Sequence, residues 1–363
     1  MFRSFPRVAL LLAATAITAP AFAADYDDTP FRDSYPTEPG QWAGLGDEDD
    51  SLQFEFGMRY WYSMGGQGFS DSGGVSQLSS SDTSHIGELH LRIEDHATNT
   101  FAKAIAGYSM VMTGSYSTPS DSGTFADGHV GYIGADFGWN AWGDNNGSGA
   151  GLLVGYQYWQ DAPNTGRNNF TTLETGDTVT YDPITGQTFI PGDSAPNYID
   201  THILRLGVQG KAKLGDMFDI SAEVAGVPYA KVTGVVGIDD PSFDTSVYAG
   251  PSQIPYSGNN GNISFMRSSP TSIDGWGYGG MAEAWLGFHP RDDLTFRLGG
   301  RAWYLQGSAD QTFTGVMIGN PGDSEPDGVY DVDPTVVSSG YILPSNPFSM
   351  FRYGLMAEMT YSF

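Results

Sequence analysis

The chain has no cysteine among its 363 residues. Disulfide staples, thiolate metal ligands and cysteine nucleophiles are therefore excluded. Basic residues are scarce: 16 Lys+Arg stand against 42 Asp+Glu, for a net charge of −26. So few cations cannot replace the counterions of a nucleic acid, and no nucleic-acid partner is expected. Long apolar runs are a third absence. Beyond Ala23 no stretch approaches the ~20 apolar residues that a membrane helix requires. There is also no phosphate-cradling glycine loop, zinc-ligand cluster or nucleophile elbow.

What the chain does have is glycine (49), tyrosine (20), phenylalanine (21) and tryptophan (8), a composition suited to twisted strands. At the start, Arg3 and Arg7 precede a largely apolar run from Val8 to Ile17, and Ala21-Phe22-Ala23 has the small-x-small form of a cleavage site. Residues 1–23 are expected to be a signal peptide, leaving about 340 residues in the mature chain. Losing Arg3 and Arg7 would take the net charge from −26 to −28. Residues 24–51, with Asp-Tyr-Asp-Asp and Gly-Asp-Glu-Asp-Asp runs and Pro30, Pro36 and Pro39, are too polar to pack. They read as an acidic periplasmic tail ahead of a domain spanning 52–363.

At the other end, Leu355, Ala357, Met359, Tyr361 and Phe363 share one parity, while Met356, Glu358, Thr360 and Ser362 fall on the other, a mixed and mostly polar face. This two-residue period, finishing on an aromatic, resembles the closing strand of Gram-negative outer-membrane β-barrels. The resemblance implies recognition by the barrel-insertion machinery, a cell outer membrane location and contact with lipid and lipopolysaccharide. The fold expected is all-β: a transmembrane antiparallel up-and-down barrel of ten strands, with twelve as the alternative.

Period-two reading gives strands over 52–63, 86–94, 102–113, 129–142, 151–160, 198–214, 218–235, 275–288, 294–307 and 348–363. Connections of a few residues alternate with longer ones, as tight periplasmic turns alternate with extracellular loops. Charges sort by parity. Leu89, Leu91 and Ile93 oppose Glu88, His90 and Arg92, and Leu204, Leu206 and Val208 oppose Arg205, Gln209 and Lys211. A charge facing lipid at midplane costs ~2–4 kcal/mol, so the charged faces are assigned to the lumen. Strands three and four alternate less cleanly. Tyr60, Tyr62, Tyr156, Tyr158 and Tyr304 fall toward one rim, and Phe137, Trp139, Phe288, Tyr361 and Phe363 toward the other. Aromatic girdles are expected at both headgroup levels.

The candidate lumen network comprises Glu55, Arg59, Glu88, Arg92, Glu223, Glu283, Arg297, Arg301, Arg352 and Glu358. Heights counted from the strand ends suggest a series Glu283–Arg301–Glu358–Arg59–Glu88 of alternating sign. Such a series suits either a plug that ties strands together or a path for ions, and small barrels are usually filled. The long loops are acidic, which divalent cations would relieve. Asp323, Glu325, Asp327 and Asp331, with Gly328, match the first part of a calcium loop, but Pro334 stands where a bidentate glutamate belongs. Calcium is thus a possible ligand; no other cofactor is expected.

Ten strands are also the number in the omptin proteases, which the chain resembles in architecture alone. That family pairs two acids on one wall with an Asp–His pair on the other. Here no histidine falls between His202 and His289, so that second pair is missing. Asp82 with His85, and Asp127 with His129, are the remaining Asp–His neighbours near the outer mouth. A surface-exposed structural or interaction protein with a charged, mostly occluded lumen is the expected function. A narrow channel for ions or small solutes and an outer-membrane hydrolase are the alternatives.

Overall fold

The computed structural model describes residues 52–70, 77–117, 122–144, 148–165, 167–171, 180–186, 188–236, 246–249, 257–258, 262–263, 266–319 and 321–363. The signal-peptide and acidic-tail expectations, on residues 1–51, lie outside them. Ten long strands form the wall: β1 (Leu52–Ser70), β2 (Gln77–Asp95), β3 (Thr100–Ser117), β4 (Gly128–Asp144), β5 (Ser148–Pro163), β6 (Tyr198–Lys213), β7 (Phe218–Val235), β8 (Ser272–Arg291), β9 (Leu294–Ile318) and β10 (Val336–Ser362). Each pairs antiparallel with its sequence neighbour, and β10 returns to pair with β1, which closes the ring at ten. Two short strands, Ser122–Phe125 and Met266–Arg267, add to β3 and β9 without entering the ring.

The strands run 16 to 27 residues, against the ~9–11 that cross a bilayer. Four of the expected segments, around β1, β2, β9 and β10, therefore stop short of the observed strands. Residues 64–70 and 77–85 lie in an expected loop yet continue the ladder from Met64↔Thr83 to Ser70↔Gln77. Beyond the lipid both faces of a strand meet water or protein, so the alternation that marks a strand in the sequence disappears. A short hairpin stands outside the ring, with Thr180 and Tyr181 paired to Phe189 and Thr188 and a turn closed by Gly186 N–H to the Asp182 carbonyl at 2.8 Å.

Outward side chains form an apolar belt; Leu89, Ile133, Val154, Leu206, Leu298 and Leu355 are all exposed. Aromatics bound it at both ends. At the closing end Phe54 stacks on Phe363 and Phe218 lies against Phe288, while at the other Tyr304 meets Phe351 edge-on. The faces of β3 and β4 now resolve. Ala102, Ala104 and Ala106 point out and Phe101, Lys103 and Ile105 point in, and small outward residues are why the sequence alternated poorly there. The buried hydrophobic cluster lies inside the ring, so the core of this molecule is its lumen.

Candidate functional site

The ring brings the inward charges of nine strands to one region of the lumen. Arg59 of β1 pairs with Glu88 at 2.9 Å and with Glu358. Arg301 of β9 reaches across to Glu88 at 2.7 Å and also holds Glu283. Arg297 bridges Glu55 at 3.0 Å and Glu358 at 2.6 Å. On the far wall Arg205 bonds Asp136 at 2.5 Å, and Lys103 holds Glu223. Arg92 donates to Glu94 at 2.6 Å and to Gln209 at 3.2 Å. β5 contributes no charge here. It contributes Gly155, where any Cβ would collide with the Asp136 carboxylate. The ten proposed residues all face inward, and nine of them join this layer.

One expected link is replaced. The register places Arg297, not Arg301, opposite Glu358, and Arg301 opposite Gly354. Heights counted from strand ends ignore the stagger that closing a barrel imposes, and here it moves the pairing by four residues.

Arg352 stands apart, farther from the end at which Phe54 stacks on Phe363. It donates to Asp82 at 2.8 and 2.9 Å, to Asp161 at 3.1 Å and to Ser63 at 3.0 Å, all buried. Gly65 makes room for it, since a Cβ there would strike both the guanidinium and Asp82. This brace ties β10 to β2 and β5 across the lumen. Asp161 was not singled out and Asp82 was read as a neighbour of His85 at the rim, because both fell outside the expected strands. The sign that could have found them is parity: each lies an even number of residues from an inward group, Glu88 and Gln157.

Between the two charged levels lies a set of rings. Tyr132 stacks on Trp159 at 4.8 Å, Trp61 meets Trp159 edge-on at 6.3 Å, and Trp303 lies 6.0 Å from Trp159. Guanidinium groups seat these rings on the charged layer: Arg301 under Trp61 at 5.2 Å and Arg205 under Trp303 at 5.4 Å. Cation–π contacts of this kind gain ~2 kcal/mol or more when desolvated. Further out, Phe69, Leu78, Ile199, Ile273 and Phe348 continue the filling. The lumen is thus charged at one level and mainly apolar at another, where the expectation named only the charges.

Among the described residues, the one group of His and acidic side chains with donor atoms converging within 4.8 Å is Glu55, His90 and Glu358. Its two carboxylates are already bridged by Arg297, so the group is part of the ion-pair layer. The four acidic residues of the calcium-like stretch do not converge. Asp331 accepts from the Ser324 hydroxyl and from its N–H at 2.7 Å, Asp323 from Gly328 N–H at 3.1 Å and Asp327 from Val329 N–H at 2.9 Å, while Glu325 is exposed. The Ser324 hydroxyl and N–H hold the Asp331 carboxyl below the usual range.

Asp82 and His85 are separated by the wall: Asp82 points inward to Arg352, and His85 points outward to the Tyr60 hydroxyl at 2.5 Å. Asp127 is exposed just before β4. His129 faces out and bonds Gln160 at 3.0 Å; His202 faces out beside the Tyr156 hydroxyl at 2.6 Å. His289 pairs with Asp219 at 2.5 Å at the closing end.

No family model matches the chain, and no curated protein matches it in sequence. Solved structures do. The outer membrane protease OmpT of Escherichia coli superposes with a TM-score of 0.51 at 10% identity, covering 87% of this chain and 98% of that one. At that identity the likeness establishes the barrel fold. The translocator domain of the Neisseria meningitidis autotransporter NalP (13% identity, 88% and 91% covered) and the β domain of the Bordetella autotransporter BrkA (9%, 86% and 100%) overlap at only 0.29 and 0.30.

Proposed function

We propose that this protein is an integral outer-membrane barrel that works from its surface: a structural or interaction protein whose lumen is closed and whose long loops face outward. The observation that carries this reading is the filling of the lumen at successive levels, by the Arg59–Glu88–Arg301 layer, the Trp61–Trp159–Trp303 rings and the Arg352 brace. The apolar exterior between two aromatic girdles supports insertion in lipid, since a wall of this kind exposed to water would drive association. On this reading its standing contacts are outer-membrane lipid, lipopolysaccharide and, during assembly, the insertion machinery. Divalent cations would screen its acidic loops from anionic lipopolysaccharide.

Planar-bilayer recording with the refolded, full-length protein tests this. The expectation is no discrete conductance above background at any voltage the bilayer tolerates. Regular single-channel steps that change with Arg59→Ala or Arg301→Ala would replace the reading with a narrow channel. One observation favours that second reading. The Gln157 amide, the Thr201 hydroxyl and the indole N–H groups of Trp61, Trp159 and Trp303 are buried without a protein partner, and buried polar groups of this sort usually hold water.

A further inference from the structure

Acids are shared differently at the two charged levels of the lumen. Around Glu88, each shared carboxylate meets two cations: Glu88 lies between Arg59 and Arg301, and Glu358 between Arg59 and Arg297. At the brace the sharing is reversed. Arg352 is one cation between two acids, and among the described residues it is the only basic side chain that pairs with Asp82 or Asp161. Ser63 and Ser84 add hydroxyls there but no charge. With both acids ionised, the brace carries one net negative charge.

Its surroundings do not offset that charge. Within the wall Asp161 stands opposite Val130 of β4 and Ile199 of β6, both fully buried. The Tyr132, Trp159 and Trp303 rings lie between the brace and the cations around Glu88. A charge left unpaired in so dry a setting is strongly unfavourable.

Hydrogen bonding locates the excess. Asp82 is satisfied at both oxygens: Oδ1 accepts from Arg352 at 2.9 Å and from the Ser84 hydroxyl at 2.6 Å, and Oδ2 from Arg352 at 2.8 Å. Asp161 is satisfied at one. Its Oδ2 accepts from Arg352 at 3.1 Å, while its Oδ1 is buried without a protein partner. The Gln67 side chain of β1 lies beside Asp161. Gln67 is only 5% exposed, yet neither its amide oxygen nor its amide nitrogen makes a hydrogen bond. Buried amides are nearly always paired, so this one points to a ligand. A carboxylate oxygen beside an amide oxygen is the kind of donor set that hard cations take. Charge sets the valence: one positive charge neutralises the brace, whereas a divalent ion would leave it as charged as before with the opposite sign.

We propose that the brace binds one monovalent cation between Asp161 Oδ1 and the Gln67 amide oxygen. An alkali ion and a proton shared by the two oxygens supply the same chemistry, a single positive charge, and the test separates them. Burial and charge set the requirement, so the site goes beyond the closed-lumen reading and would stand in a conducting barrel as well. Cations in solution would then support the brace, while the Glu88 layer, matched by its own side chains, would not respond to them.

The test uses refolded, full-length protein in lipid vesicles at one pH and one ionic strength. The salts are the chlorides of sodium, potassium and N-methyl-D-glucamine, the last a cation too large for the site. A bound alkali ion should raise the unfolding midpoint saturably above that in N-methyl-D-glucamine, and Asp161→Asn should abolish the difference. That variant leaves Arg352 with one acid, so its own midpoint should not fall. Gln67→Ala should raise the half-saturating concentration by about tenfold, as the loss of one charged contact implies. A proton should instead leave the midpoint indifferent to the cation and give the infrared C=O stretch of a buried carboxylic acid, which Asp161→Asn removes. Where Asp161→Asn does not refold, Asp82→Asn takes its place, since losing either acid leaves one cation with one. A midpoint that ignores the cation, together with an infrared spectrum that the substitution leaves unchanged, overturns the proposal. An alkali effect that persists in Asp161→Asn belongs to the acidic loops and, with the same unchanged spectrum, overturns it too. Planar-bilayer conductance is read separately, so a channel would displace the closed-lumen reading and leave this site standing.

Discussion

At the level of Glu88 the lumen is crossed by guanidinium–carboxylate pairs, and at the level of Trp159 by stacked rings. Both levels close the same cylinder, yet they fail differently. An ion-pair layer in a dry interior holds only while every member is matched, because removing one partner strands a buried charge. A ring layer loses contact in proportion to the volume removed. The inner level is therefore all-or-none and the outer level is graded. The Arg352 brace sits between these behaviours, being one cation shared by Asp82 and Asp161 inside a mainly apolar setting.

The comparison is broken most forcefully at Arg301. Arg301→Met leaves Glu88 and Glu283 facing each other with Arg59 alone, and should lower unfolding stability in lipid vesicles by ~3–5 kcal/mol. A loss under 1 kcal/mol would mean that water screens the layer. Trp159→Ala removes the ring that touches Tyr132, Trp61 and Trp303, and should cost about 3 kcal/mol. Partial substitution to Phe should recover much of that, as a graded layer requires; no recovery would argue against packing as the cause.

The brace sharpens the contrast. Replacing Arg352, Asp82 and Asp161 together, by Met, Leu and Leu, should leave stability within ~1 kcal/mol of the starting protein, since no unpaired charge remains. Arg352→Met alone should be clearly worse than the triple change. A smaller effect is expected outside the membrane. The Asp331 pKa is held below its ordinary value by Ser324. Its contribution to the order of the 321–333 connection is therefore full above the ordinary carboxylate range and is lost as pH falls through the lowered folded value. Acid proteolysis of this connection should rise in that window, and Ser324→Ala should move the rise to higher pH.

Much of the wall was legible in the chain. Leu89 and Leu91 against Glu88 and Arg92 give both the strand and its faces, because lipid admits few charges. The inner charged level followed from the same sorting. The rings did not follow, since an aromatic near a strand end suits a girdle as well as a lumen, and Trp61 sits among Tyr60 and Tyr62, which do point outward. Nor did the brace, because Asp82 and Asp161 lie just beyond the expected strands 86–94 and 151–160.

A high-resolution structure of the protein in a lipid nanodisc, with its waters resolved, bears most directly on the closed lumen. The account predicts isolated waters beside Gln157 and Thr201 and a break in solvent at the Trp61–Trp159–Trp303 level. An unbroken file of water from one mouth to the other would contradict it.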